Sequence, residues 1–460
     1  MNNKQEKTYF KEWLPARVAI LGAGRSGIAV ARYLLKKGIA VFISETCGAQ
    51  KLDFMLASNS MAEVPHEADG HTDKVLAHDL IVISPGVESD IPVLKKAREA
   101  GLPVWSEVEL AYRQSRAPFL AVTGSTGKST TVEMLGSILT VAGKENVVAG
   151  NIGLPLVQEA TGISADGFVV AEISSFQLET VDTFRPHVAA ILNLMKNHLD
   201  RYAGEEEYYA AKKLIARNML EEDSIVLNAL DKRLVAWAEQ LKGKVRIVFF
   251  GADVPADHCA WVSGSRLFWR SGRKKEVVAH LASMILQGVH NRQNASAAAA
   301  MALAAGIGGE AIEKGIVSFR GLAHRMEFVR ELDGISYYND SKATTAESVE
   351  CAVKSFSANV HLIAGGKDKG CDFSSIRDAI KNNVKSVTLI GEAAERISKE
   401  WEGTVNIARA ASLEQALEKV QSRAGKGDVV ILSPGCSSFD MFSSYEERGN
   451  IFKKLVNGLS

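Results

Sequence analysis

Apolar residues arrive along this chain in short unbroken runs, each followed by a stretch in which they recur at helical spacing. Val18–Leu21, Ile39–Ile43 and Leu80–Ser84 form a first set of runs, and Phe119–Val122, Phe168–Ile173, Val188–Leu192 and Ile225–Leu227 a second. Ile335–Asn339, Val360–Ala364, Val387–Ile390 and Val429–Leu432 form a third. Such runs fit strands buried on both faces, while Val132, Leu135, Ile138 and Leu139 fit one face of a helix. The alternation predicts an α/β protein built on mostly parallel sheets covered by helices. Between about 246 and 280 the rhythm breaks into polar, hairpin-like sequence such as SGSRLFWRSGRKK. Helix-forming sequence returns over Asn291–Ala305 and Gly309–Ser318. A length of 460 residues leaves room for about three domains of ordinary size.

Two glycine-rich loops stand between a strand and a helix. In PFLAVTGSTGKSTT (118–131) the apolar strand runs into small residues and then into Gly127-Lys128-Ser129-Thr130. Glycines let backbone N–H groups close on phosphate oxygens, the helix start adds positive potential, and the lysine adds a full charge. Ser129 is placed as a magnesium ligand in this pattern. The P-loop consensus asks for glycine where this chain has Val122, so a nucleoside triphosphate site of non-standard type is expected. A Gly/Ser-rich turn with an incidental lysine is the alternative. The other loop, Gly22-Ala23-Gly24-Arg25-Ser26-Gly27, follows a strand and opens a helix, and Glu45 closes the next strand. Alone it is a dinucleotide fingerprint, and an NAD-dependent oxidoreductase is the competing reading. By residue 118 a new strand–loop–helix unit has begun, leaving space for a small domain that holds a diphosphate-bearing molecule, or for a turn with no ligand. Two further strands end in Ser84-Pro85-Gly86 and Ser433-Pro434-Gly435, at the carboxyl ends where open α/β sheets bind ligands.

Composition narrows the classes. Hydrophobic residues make up 46% and charged residues 23%, which supports large cores and argues against global disorder. Lys+Arg and Asp+Glu both number 54, a balance that argues against a general nucleic-acid or anionic-membrane binder. The five cysteines are scattered without a C-x-x-C pair, suggesting neither a disulfide framework nor a zinc site. MNNKQEKTYFKEW lacks the apolar core of a signal peptide, and ASAAAAMALAA (295–305) reads as a packed Ala-rich helix, too short to cross a bilayer. A soluble, cytoplasmic, reduced protein is expected.

Three stretches place chemistry at strand ends. Glu172-Ile-Ser174-Ser175-Phe176-Gln177 closes one strand, and its carboxylate can reach a magnesium ion at the phosphate loop or serve only as a cap or surface acid. Asn193 and His198-Leu199-Asp200 follow another, where the histidine is a ligand, a base or merely hydrogen-bonded. Lys212 lies on an apparent helix, where a surface cation is the bland reading.

Taken together, TGSTGKST, EISSFQLE, NHLDRY, YYAAKK, HNRQN, AHRMEF, NDSKATT and LSPGCSSFDMFSSYEERG resemble the signature stretches of the Mur ligases. These are cytoplasmic bacterial enzymes that add amino acids to the peptidoglycan precursor. SSFQLE and the C-terminal SPGCSSFD…YEERG resemble in particular the branch that adds D-glutamate. The likeness covers nearly the whole chain with the motifs in the same order. It implies a Rossmann-like UDP-binding domain over 1–106, a central P-loop-type ATPase domain with a parallel sheet over 107–320, and a C-terminal Rossmann-like domain over 321–460. The substrates implied are ATP with Mg2+, UDP-N-acetylmuramoyl-L-alanine and D-glutamate, with no nucleic acid and no membrane insertion, on a protein expected to be a monomer.

The same resemblance assigns residues. Gly124, Ser125, Thr126, Gly127, Lys128, Ser129, Thr130, Asn294, Arg325 and Asp340 match ATP-contacting positions. Ser129, Glu172, His198 and Lys212 match the metal site, with Lys212 matching a lysine that carbon dioxide converts to a carbamate, an anionic oxygen ligand. Lys128, His198 and Lys212 are the implied catalytic set. Gly24, Arg25, Ser26, Glu45, Thr46, Ser84, Gly86, Asn151 and Ser174 match the region that receives the UDP-sugar. Lys342, Thr344, Lys369, Ser438, Phe439 and Tyr445 match the one that receives D-glutamate. Three positions depart from the family pattern: Thr126 stands where asparagine is common, Met195-Lys196-Asn197 where an acidic residue is more usual, and Tyr445 where phenylalanine is frequent. The implied reaction phosphorylates the alanine carboxylate and lets the glutamate amine displace phosphate. An oxidoreductase leaves TGSTGKST unexplained. A P-loop switch or transport ATPase leaves the first domain unexplained, and folate polyglutamate ligases share the phosphate loop but do not begin with a UDP-binding domain.

Overall fold

The computed structural model describes residues 14–196, 201–286, 288–356, 359–368 and 370–459. By packing, the chain divides into two compact units, one running to Met284 and taking in Val289–Ser318, the other comprising Ile285–Gly288 and Phe319–Ser460.

The first unit opens with five parallel strands, β1 (Arg17–Leu21), β2 (Ala40–Ser44), β3 (His66–Glu67), β4 (Leu80–Ile83) and β5 (Val104–Ser106), in the order β3-β2-β1-β4-β5. β1 and β4 lie at the centre and are covered on both faces, which is why each reads as a continuous apolar run. The helix Arg25–Lys36 packs Ile28, Ala29, Val30, Ala31 and Leu34 inward. Strand order reverses between β1 and β4, and the loops after these two strands meet there. Ser84 Oγ donates to the Gly22 carbonyl at 3.0 Å. A side chain at Gly22, whose φ is +91°, would sit 2.9 Å from Ser84 Cβ, so this approach requires glycine.

Nine strands follow: β6 (Phe119–Thr123), β7 (Asn146–Gly150), β8 (Phe168–Glu172), β9 (Val188–Ile191), β10 (Ser224–Asn228), β11 (Arg246–Phe250), β12 (His258–Ser263), β13 (Arg266–Ser271) and β14 (Lys274–His280). Their order is β14-β13-β12-β11-β10-β9-β6-β8-β7. Pairing is parallel from β7 across to β12 and antiparallel in the hairpins β12–β13–β14, where the sequence turns polar. β6 is central, with β8 and β9 beside it. The helix Lys128–Val141 packs on the sheet and against the helices Val289–Ala304 and Gly309–Ser318. The Ala-rich segment is core: Ala295 and Ala297–Ala300 are 0% exposed. No described helix is long and apolar enough to cross a membrane.

The helix Glu107–Gln114 leads from the first sheet to the second, and one carboxylate on it ties them together. Glu109, 0% exposed, accepts from the backbone N–H groups of Asp182 (2.9 Å), Thr183 (3.0 Å) and Phe184 (2.9 Å). Thr183 Oγ1 and Arg113 Nε add two more bonds at 2.6 Å each.

The second unit is one six-stranded sheet of β15 (Glu327–Leu332), β16 (Ile335–Asn339), β17 (Val360–Gly365), β18 (Val384–Ile390), β19 (Asn406–Arg409) and β20 (Val429–Leu432), ordered β15-β16-β20-β17-β18-β19. Only β15 is antiparallel to its neighbour. The last strand, β20, is thus inserted between β16 and β17, and the loops after these three strands converge at one edge. The final helix Tyr445–Asn457, capped by Ser444, packs Phe452 and Val456 against the sheet.

Loss of the Glu109 carboxylate removes the acceptor of three backbone N–H donors and the fully buried one of the two carboxylates paired with Arg113. Glu109→Ala is expected to destabilise the first unit by roughly 3–5 kcal/mol. Asp182→Ala, which removes a mostly exposed partner of the same arginine, should cost less than about 1 kcal/mol. Urea unfolding followed by tryptophan fluorescence compares the two, and equal small losses would show that the clamp carries no weight.

Candidate active site

The loop after β6 is a row of peptide N–H groups held from outside. Gly127, at φ +82°, begins the helix Lys128–Val141 with no side-chain cap, which leaves the first helical N–H groups and the positive end of the helix facing outward. Asn193, at the end of β9, grips the loop: Oδ1 accepts from Ser125 N (3.0 Å) and Thr126 N (2.9 Å), and Nδ2 donates to the Thr126 carbonyl (3.1 Å). Asn294, on the Ala-rich helix, lies beneath, and a Cβ on Gly127 would come within 2.5 Å of its Oδ1. Lys128 Nζ folds back on the Gly124 (2.9 Å) and Ser125 (3.2 Å) carbonyls. Ser129 is buried at the helix start and Thr130 half-buried.

Lys212 is not a surface cation. It is 2% exposed, donates Nζ to the Gly124 carbonyl at 3.0 Å and lies 4.4 Å from the centre of the Tyr208 ring. Burial, with Lys128 nearby, pulls its ammonium down to about 7. Glu172 ends β8 level with Val122 of β6, and Oε1 accepts from Asn151 Nδ2 at 2.8 Å. Its Oε2 is buried with no hydrogen-bond partner among the described residues. An orphaned carboxylate oxygen suits a hard cation that takes oxygen ligands. No cluster of three or more His, Cys, Asp or Glu forms among the described residues. His198 lies outside them, as does Lys369.

At the break between β1 and β4 there is a cleft of about 630 Å³. Gly24, Arg25, Ser26, Glu45, Thr46, Ser84, Gly86 and Asn151 line it. Ser174 does not; it exchanges hydrogen bonds with Gln177 in a capping box for the helix Ser175–Leu178, and Gln177 reaches the cleft instead. Burial pushes the Glu45 carboxyl up, but N–H donors from Ala23 (2.6 Å), Thr46 (2.7 Å) and Cys47 outweigh it and hold the group below its ordinary value. Asn151 both lines the cleft and binds Glu172, so the cleft ends beside the phosphate loop.

In the second unit, Asp340 follows β16 fully buried, accepting from Ser433 Oγ (2.8 Å) and Met326 N (3.1 Å). Burial outweighs these bonds and the nearby Arg325, and raises the carboxyl to about 7. Lys342 donates its N–H to the His324 carbonyl at 2.9 Å, and its Nζ stands 5.7 Å from the centre of the Tyr445 ring. Thr344 is half-buried, Ser438 is buried and Phe439 is 65% exposed. The segments after β16 and β20 are therefore adjacent, and Tyr445 joins them through its carbonyl, which accepts from Ser341 Oγ at 2.8 Å.

Three family profiles match in sequence order. "Mur ligase MurD-like, N-terminal domain" covers residues 16–106, "Mur ligase middle domain" 122–302 and "Mur ligase, glutamate ligase domain" 324–436. The chain belongs to the Mur ligase family. Among curated relatives of this Mur ligase, the UDP-N-acetylmuramoylalanine--D-glutamate ligase of Koribacter versatilis is 40% identical over 449 residues, covering 96% of this chain and 98% of that protein. The enzyme of the same name from Syntrophotalea carbinolica is 41% identical over 449 residues, covering 97% and 99%. A solved structure of MurF from Acinetobacter baumannii shares the fold, with a TM-score of 0.60 at 20% identity, covering 96% of this chain and 94% of that one.

Sequence reasoning noticed Asn193 but gave it no part, and it passed over Gln177 and His71, which also lines the cleft. Asn193 follows an apolar strand directly, the one signal that could have marked it. Asn193→Ala removes three loop hydrogen bonds, each worth about 1 kcal/mol. Nucleotide affinity should fall between about tenfold and a hundredfold with the circular dichroism spectrum unchanged. Unaltered affinity by calorimetry would show that the loop holds its shape without this residue.

Proposed function

We propose that this Mur ligase joins D-glutamate to UDP-N-acetylmuramoyl-L-alanine at the expense of ATP, as the names of its relatives at 40–41% identity describe for them. One observation carries the reading beyond likeness. The cleft that suits a UDP-sugar ends at Asn151, whose amide holds Glu172 at the edge of the phosphate loop. A substrate lying in the cleft can thus present its far end to a nucleotide's terminal phosphate. The reading assigns UDP-sugar binding to 1–106, nucleotide binding and ligation to 107–320 and amino-acid capture to 321–460, in a monomeric cytoplasmic enzyme. Glu45 supports UDP over a nicotinamide dinucleotide, because one of its oxygens is committed to the loop's Ala23 N–H and the other to Thr46.

The chemistry follows from the charges. A carboxylate and an ammonium do not condense in water at neutral pH, so the carboxylate must first become an acyl phosphate. Loop N–H groups and Lys128 receive the phosphate oxygens and stabilise the charge that spreads over them during transfer. Ser129, Glu172 and Lys212 are the residues to hold Mg2+, which neutralises phosphate oxygens and orients them. Asn151 orients the muramoyl substrate, and Asn294 supports Gly127 from below. Arg325 and Asp340 are assigned to ATP. Lys342, Thr344, Ser438, Phe439 and Tyr445 are assigned to D-glutamate, whose amine displaces phosphate.

Lys212 fits this scheme only as an anion. A neutral amine attacks carbon dioxide, forms a C–N bond and releases a proton, leaving a carbamate whose oxygens can bind metal. Burial and Lys128 supply that neutral amine, since a group lowered to about 7 is largely unprotonated above that pH and protonated below it. Carbamate formation should therefore fail as pH drops through about 7, which a 13C-bicarbonate NMR titration reads directly. Lys212→Arg should show no carbamate signal and no turnover, and full activity in that variant would return Lys212 to a supporting role. The ligase reading itself is tested by phosphate release from ATP, which should require UDP-N-acetylmuramoyl-L-alanine and D-glutamate together. Release with either one alone would overturn it.

A further inference from the structure

The second unit buries a cation that this mechanism does not use. Arg448, in the first turn of the final helix, is 0% exposed. Its Nε donates to Ser341 Oγ (2.9 Å), Nη2 to the Ser341 (2.8 Å) and Cys436 (3.1 Å) carbonyls, and Nη1 to the Ser437 carbonyl (3.3 Å). None of these partners is an anion. The carboxylate that bears on it, Asp440, is exposed and gives Oδ2 to the Glu392 N–H at 2.9 Å. Burial lowers the guanidinium to about 10, so it stays charged at neutral pH. A buried charge is costly unless an opposite charge completes it.

The position of this charge gives it a purpose. Its four bonds join the loop after β16, which carries Lys342 and Thr344, to the loop after β20, which carries Ser438 and Phe439. At the end of β17, a Cβ on Gly366 would lie 3.1 Å from Nη1, so the third converging loop leaves room for the guanidinium. Ser437 Oγ, in the same cradle, is buried with no hydrogen-bond partner among the described residues. A charge in this low-dielectric setting escapes most screening by water and salt, and acts across the loops it holds. Only arginine offers a rigid five-donor fork that neutral carbonyls can hold without removing its charge.

We propose that Arg448 is a specificity-determining positioning residue, which sets the two loops in register and supplies the positive field that favours an amino acid with two carboxylates over one with a single carboxylate. The proposal rests on the ligase reading above. Its test is steady-state kinetics on the full chain with D-glutamate and D-glutamine as alternative amino acids. Arg448→Met keeps the bulk and removes the charge. It should raise the D-glutamate KM at least about tenfold, leave the KM values for ATP and the UDP-sugar within about twofold, and cut the D-glutamate to D-glutamine ratio of kcat/KM by about tenfold. Arg448→Lys keeps the charge and loses the fork, so the KM should rise while the ratio holds. Equal losses for both amino acids in the methionine variant, or an unchanged D-glutamate KM, would overturn the proposal while leaving the ligase reading intact. Should the methionine variant fail to fold, the lysine variant decides: a raised KM with the ratio kept supports the proposal, and an unchanged KM or a collapsed ratio rejects it. A wild-type protein that releases phosphate without D-glutamate defeats the ligase reading, and this proposal with it.

Discussion

The loop after β6 is held in part by its own Lys128, and the rest of the restraint must come from elsewhere. In this chain Asn193 from the end of β9, Lys212 from the helix Glu205–Lys213 and Asn294 from the Ala-rich helix supply it. Each comes from a different stretch of sequence, and Asn193 reaches the loop because β9 lies beside β6 in the sheet. The restraint has an electrostatic consequence. Lys128 and Lys212 both donate to the Gly124 carbonyl, so two amines share one acceptor. Two ammonium groups so placed repel each other, and the more deeply buried one gives up its proton more easily.

The same geometric rule recurs in the other two sheets. Strand order breaks between β1 and β4 in the first, and β20 is inserted between β16 and β17 in the last. At the first of these breaks the loops after the two strands meet around the cleft at the strand ends. Polar groups fix the chain at these strand ends: Glu45 on the Ala23 N–H, Asn151 on Glu172, and Asp340 on Ser433. Asn151 is the link of most consequence, because it lines the cleft and at the same time holds Glu172, which on the proposed reading joins substrate binding to phosphate transfer.

The central strands were legible in the sequence because burial on both faces demands apolar runs, which β1, β4, β6, β8, β9 and β20 show and β17 breaks only at the buried His361. Edge strands were not. β3 has two residues and β5 three, too few for any period, β7 is half-buried over its first three positions, and β15 and β19 mix half-buried and exposed positions. Of the candidate site, the glycine loops could be read because backbone conformation restricts residue choice there. The clamps could not, since an asparagine that holds a loop looks in sequence like any other asparagine. Ser174 shows the converse, matching a substrate position by motif while its side chain serves as a helix cap.

Lys212 and Arg448 are the two deeply buried cations of these sites, and the difference between their side chains explains why each stands where it does. Burial lowers both, Lys212 to about 7 and Arg448 to about 10. At neutral pH the first can lose its proton and react, whereas the second cannot. On the proposed reading, the lysine at the phosphate loop suits a position where the charge must be removed or reversed to admit a metal. An arginine beneath the amino-acid loops suits a position where the charge must persist through every turnover. On the proposed reading, exchanging the two residue types would leave a fixed cation against the metal at one site and, at the other, a point charge without the planar fork that holds the two loops together. Burial sets the cost in both places, and the chemistry of the side chain decides whether that cost is relieved by reaction or by the arrival of an anionic substrate.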